Sequence, residues 1–82
     1  MLVSVIIPAY NEENTIESCL NSLLNQTIEK NSYEVIVIDD GSTDSTSEIV
    51  RKYPIKLFRQ ENSGPATARN LGAKNSSGEI IL

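Results

Sequence analysis

The chain has 82 residues, with 7 Lys+Arg against 11 Asp+Glu for a net charge of −4, one cysteine and no histidine. At this length it makes one domain at most, one that buries only about 60–65% of its unfolded surface and is marginal by itself. Scattered bases and few aromatics argue against nucleic-acid binding, lone Cys19 leaves neither an internal disulfide nor a usual zinc site, and the apolar runs are too short for a membrane span or signal peptide.

Strands and helices alternate along the chain. Leu2–Ile7 reads as a buried strand stopped by Pro8. Asn11 is placed to cap a helix, with Glu12 and Glu13 in a first turn that favours acids. Ile16, Cys19, Leu20, Leu23 and Leu24 then recur at the spacing of one apolar helix face. Glu34–Ile38 is the second strand, whose unbroken Val35-Ile36-Val37-Ile38 run suits a parallel sheet buried on both faces. It ends in Asp39-Asp40. Ser42 or Thr43 caps a second helix with Ile49, Val50 and Tyr53 inward, and Pro54 ends it. Ile55–Arg59 is a short third strand. Ser63-Gly64-Pro65 opens a third helix, with proline at the first helical position and Ala68, Leu71 and Gly72 toward the sheet. Gly78 leads into a fourth strand, Glu79–Leu82. The expected fold class is α/β: a Rossmann-like open parallel sheet in the order β-α-β-α-β-α-β with right-handed crossovers. A strand stopping almost as it starts reads as a fragment of a longer protein, or as an edge that another chain completes.

Open parallel sheets bind ligands at the carboxyl ends of their strands, and three candidate loops lie there. Adjacent strand residues project oppositely, so Asp39 and Asp40 cannot both face one site; the other acid, like Asp44, is expected to organise the turn. A carboxylate accepts hydrogen bonds only and suits a uracil imide or a ribose hydroxyl. Tyr10 is either lid packing or a platform on which a planar base stacks. Glu12 lies near enough for a sugar hydroxyl, although compensation of the helix dipole explains it equally well. In the third loop Gly64 allows a ligand to approach the backbone. Arg69 is suited to phosphate, or else is a surface arginine paired with Glu61 or Asp40. Together these describe a nucleotide site. Pro8-Ala9-Tyr10-Asn11-Glu12-Glu13 has no glycine, which excludes the dinucleotide-binding fingerprint, and a P-loop is equally absent. A receiver domain fits poorly, because Arg59-Gln60-Glu61 ends the third strand.

Val3-Ser4-Val5-Ile6-Ile7-Pro8-Ala9-Tyr10-Asn11-Glu12, the strand Glu34–Ile38 with Asp39-Asp40-Gly41-Ser42-Thr43-Asp44, and Asn62-Ser63-Gly64-Pro65-Ala66-Thr67-Ala68-Arg69-Asn70-Leu71-Gly72 resemble the amino-terminal half of family 2 glycosyltransferases. These are inverting enzymes of the GT-A fold. The resemblance implies that residues 1–82 are the nucleotide-sugar-binding part, ending before the family's D-x-D motif. It implies that Tyr10 stacks on the nucleobase, Pro8 and Ala9 line its pocket, Glu12 approaches the ribose, Asp40 contacts the base edge and Arg69 lies near the base or diphosphate. Asp39 is then structural. It further implies a nucleotide-sugar partner, UDP-linked ahead of GDP-linked, and a divalent metal (Mg or Mn) in the parent enzyme. The metal ligands and the general base are expected beyond Leu82, so no catalytic residue is expected here and the segment is expected to be inactive alone. The expected location is the cytoplasm, or the cytoplasmic face of a membrane for the parent. The alternative is a non-catalytic α/β module forming a homo-oligomer through its exposed fourth-strand edge.

Overall fold

A computed structural model describes residues 3–25, 33–76 and 78–81. Its elements are β1 (Val3–Ala9), α1 (Ile16–Leu24), β2 (Tyr33–Asp40), α2 (Thr46–Val50), β3 (Lys56–Gln60), α3 (Pro65–Lys74) and β4 (Glu79–Ile81). The strands form one sheet in the order β3-β2-β1-β4, every neighbouring pair parallel. This is the Rossmann-like architecture expected from the alternating pattern. Leu2 and Leu82, at the ends of the expected first and fourth strands, lie outside the described residues.

Side-chain alternation along β2 divides the core between two faces. Val35 and Val37 pack with Ile16, Leu20 and Val50 under α1 and α2. Ile36 and Ile38 pack with Ile6 and Ala68 under α3. Full burial of each such side chain stabilises the fold by about 1.5–3 kcal/mol. Gly72 lets α3 lie close on β1: a Cβ there would stand 2.5 Å from Ile6 Cγ2.

A polar chain crosses the amino end of the sheet. Lys56 Nζ lies 2.8 Å from Glu34 Oε1. Ser4 Oγ donates to Glu34 Oε2 at 2.6 Å and accepts the Gly78 N–H at 3.0 Å. One line of contacts therefore joins β3, β2, β1 and the residue before β4, and it disfavours a register slip of any of them.

Several boundaries differ from the sequence expectation. Pro8 lies inside β1, paired with Ile38, rather than stopping it. Asn11 does not cap α1. Its φ of 51° turns the chain, the N-cap is Thr15, and the acid in the first helical turn is Glu17 rather than Glu12 or Glu13. Cys19 is exposed, not buried. It sits about 60° of helical rotation from Ile16, and the stripe that reaches the core is Ile16 and Leu20, with Leu23 packed alongside. The cap of α2 is Ser45, because Asp44 Oδ1 accepts the Thr46 N–H at 2.9 Å and fixes the turn that precedes it. The buried residues of α2 are Thr46, Ser47 and Val50; Ile49 and Tyr53 pack only partly against the core.

Candidate functional site

The carboxyl edge of the sheet carries three loops held together by hydrogen bonds from one to the next. The Asn11 N–H donates to Ser42 Oγ at 2.9 Å, and the Thr43 N–H donates to Asn11 Oδ1 at 2.9 Å. The Glu12 N–H donates to Thr46 Oγ1 at 2.8 Å, and the Glu13 N–H to Asp44 Oδ2 at 3.2 Å. Asparagine is among the residues that best tolerate a positive φ, and the N–H and Oδ1 of Asn11 are both held. The second and third loops meet at Gly41, with φ 77°, where a Cβ would stand 2.8 Å from the Asn62 backbone nitrogen.

Strand alternation continues past the apolar run and separates the two carboxylates. Asp39 turns to the α1–α2 side and is fully buried. It accepts the Ser42 N–H at 2.9 Å, the Ser47 hydroxyl, and Arg59 Nη1 at 3.3 Å. Burial by itself would raise its pKa. The Ser42 and Ser47 hydroxyls, the Ser42 N–H and the Arg59 charge outweigh burial and hold it below the usual carboxylate value. Asp40 turns to the α3 side. Its Oδ1 accepts Gln60 Nε2 at 2.7 Å and the Ser63 N–H at 2.8 Å, and its Oδ2 accepts the Gly64 N–H at 3.0 Å. The Gln60 amide and the Ser63 N–H lower its pKa, burial opposes them, and the Gly64 N–H adds to the lowering. A carboxylate offers about four acceptor positions, and these three donors leave one of them, on Oδ2, unfilled.

Five of the six residues expected from the sequence line one cleft of about 540 Å³: Pro8, Ala9, Tyr10, Glu12 and Asp40. Tyr10, 47% exposed, is the one large hydrophobic side chain left open among the described residues. Glu12 is engaged, since Thr15 Oγ1 donates to its Oε2 at 2.7 Å. Arg69 is not part of the lining. It lies on α3, partly buried, and pairs with neither Glu61 nor Asp40. The lining also includes Asn62, Gly64 and Pro65. Their signal was the Gly-Pro helix start, which places backbone rather than a side chain at the edge. A second concavity of about 550 Å³ opens near the amino ends of β2 and β3, between apolar residues and the Glu34–Lys56 pair. It offers no exposed ring beside an open acceptor.

A planar group with an N–H on its edge suits the carboxyl-edge cleft: a ring for its face and an ionised acceptor for its edge. A divalent metal does not suit it. Among the described residues no group of three or more His, Cys, Asp or Glu side chains gathers, and Asp39 and Asp40 diverge, each already accepting N–H and O–H donors. No helix of the described residues is long and apolar enough to cross a membrane.

The sequence matches the family model described as glycosyl transferase family 2 over residues 4–82. It is 46% identical to glycosyltransferase AglE of Haloferax volcanii, an alignment covering 96% of this chain and 28% of that protein. The structure superposes with a TM-score of 0.93 on residues 1–349 of Staphylococcus aureus TarS in complex with UDP-GlcNAc, at 43% identity over 99% of this chain and 25% of that one. The mannosyltransferase PcManGT from Pyrobaculum calidifontis, in complex with GDP-Man and Mn2+, superposes at 0.83 with 34% identity, covering 95% of this chain and 25% of that one. The chain thus spans about a quarter of the length of AglE and of the PcManGT chain, and 15% of full-length TarS.

Proposed function

The chain belongs to glycosyltransferase family 2, and from that premise we propose that residues 1–82 grip the donor nucleotide of an inverting sugar transferase, with a UDP-sugar as donor. Tyr10 stacks on the uracil, Pro8 and Ala9 line the ring's pocket, and Asp40 Oδ2 accepts the imide N–H. Glu12 reaches the ribose on release from Thr15. Arg69, which makes no ion pair among the described residues, is available to the diphosphate. The observation that carries this reading is the exposed Tyr10 ring in the same cleft as a carboxylate with an open acceptor position. The likeness to a protein that holds UDP-GlcNAc supports it.

The catalytic steps belong to the parent enzyme. The Mn2+ held by PcManGT supports a divalent ion there, which would neutralise charge on the departing diphosphate. Titration with UDP, followed by the amide NMR signals of Tyr10, Asp40 and Arg69, tests the binding. Shifts at these positions support it, and none at millimolar UDP contradicts it.

One observation favours self-association as well. β4 stands at the end of the sheet and pairs only with β1, so its outer edge is open to another strand among the described residues. Light scattering on a size-exclusion column would show a dimer; a folded monomer contradicts this second reading.

A further inference from the structure

Arg59 reaches the nucleotide cleft only through other residues. Neither Arg59 nor Asp39 lines it, yet both grip the residue that holds its first loop. Arg59 Nη2 donates to the Ser42 carbonyl at 2.7 Å, while its Nη1 donates to Asp39 Oδ2 at 3.3 Å and to Ser47 Oγ at 3.2 Å. Asp39 Oδ1 holds the Ser42 N–H from the other side. Ser42 is therefore fixed at its carbonyl and its N–H, and its hydroxyl oxygen accepts the N–H of Asn11, the residue after Tyr10. Asn11 sits at φ 51°, a turn that asparagine tolerates and that its anchors hold in place. Its two anchors, Ser42 Oγ and the Thr43 N–H, are both on the segment that Arg59 grips.

We infer that Arg59 is a positioning residue for nucleotide binding: with buried Asp39 it locks Ser42, and Ser42 through Asn11 sets the backbone that presents Tyr10 to the base. The inference rests on the nucleotide reading above. A general role in joining β2 to β3 is the competing explanation, and the protein contains its own control. Lys56 lies on the same strand, pairs with Glu34 on β2 and has a side chain 48% exposed against 52% for Arg59, but its pair is at the opposite end of the sheet.

The test compares the chain itself with Arg59→Ala, Arg59→Lys and Lys56→Ala, by amide hydrogen exchange without ligand and by UDP titration. Arg59→Ala is expected to speed exchange of the Asn11 and Glu12 amides by about tenfold and to weaken UDP by about fivefold. Lys56→Ala is expected to change neither while lowering the denaturation midpoint comparably. Arg59→Lys keeps a charge beside Asp39 but cannot also reach the Ser42 carbonyl, so its values fall between wild type and Arg59→Ala; it answers the question if the alanine variant does not fold. Unchanged Asn11 exchange in the Arg59 variants, or equal changes in Lys56→Ala, overturns the inference. Failure of the wild type to bind UDP overturns the nucleotide reading separately, and the ligand-free exchange still decides whether Arg59 sets this loop.

Discussion

Asp39 and Asp40 are neighbours in β2, yet their carboxylates organise opposite sides of the sheet: Asp39 holds Ser42 and Ser47 on the α2 side, and Asp40 holds Ser63 and Gly64 at the start of α3. A pair that reads as one acidic site in sequence is two sites in space. Each fixes one of the loops that flank the cleft, and only Asp40 lines it.

Asp40→Asn therefore weakens UDP in two ways. An amide oxygen is a poorer acceptor than a carboxylate, and the amide NH2, whichever oxygen it replaces, faces an N–H donor: Gly64 at the Oδ2 position, or Ser63 and Gln60 at the Oδ1 position. Loss of a charge-assisted hydrogen bond predicts about 10–100-fold weaker binding, measured by calorimetry. Affinity within twofold of wild type would remove Asp40 from base recognition.

Tyr10→Ala separates binding from stability. The ring is already 47% exposed, so its removal leaves the thermal midpoint within a few degrees. Base stacking is worth about 1–3 kcal/mol, so UDP affinity falls by about fivefold or more. A lowered midpoint with unchanged affinity would mean the ring is packing and not a platform.

Acid should unfold the chain through its turn carboxylates. Asp39, Asp40 and Asp44 all have folded pKa values below the ordinary aspartate value. For Asp44, burial would raise the value, and the Thr46 hydroxyl and N–H with the Glu13 N–H reverse it. A carboxylate depressed in the folded state binds fewer protons there than in the unfolded chain. Its stabilisation is thus fully present above the unfolded value of about 3.9 and is lost as pH falls through the folded value. Denaturation midpoints measured between neutral and acid pH should stay level and then fall steeply below about 4. The Asp39→Asn variant should start lower and fall less. Stability that rises on acidification would contradict this assignment.

Gly72→Ala tests the packing of α3. The added Cβ would meet Ile6 Cγ2 at 2.5 Å, and overpacking of this kind costs about 1–3 kcal/mol. Urea unfolding monitored by circular dichroism measures it. A neutral or stabilising outcome would show that α3 can lift from β1 freely.

The strands and helices were legible because periodicity reports burial directly. Val35 to Ile38 had to alternate between two covered faces, and Ile16 with Leu20 had to share one. The gathering of Pro8, Ala9, Tyr10, Glu12 and Asp40 around one cleft was legible, because strand ends in an open parallel sheet converge on one edge. What local pattern could not reveal are bonds between distant residues. Asn11 reads as a helix cap until its partner Ser42, 31 positions on, is known to hold its N–H. Arg59 reads as a strand terminus until Asp39, 20 positions earlier, supplies the buried charge it faces. Cys19 fits the apolar spacing of α1 but falls at the margin of a stripe too narrow to cover it.

The central claim, that this cleft reads a base through an N–H donor, is tested most directly by comparing UDP with CDP. Uracil presents an N3–H where cytosine presents a bare acceptor, which would face the ionised Asp40 Oδ2 with no proton between them. Calorimetric titration of the chain with each nucleotide should find UDP tighter by about tenfold or more. Equal affinities, or a preference for CDP, would contradict the account.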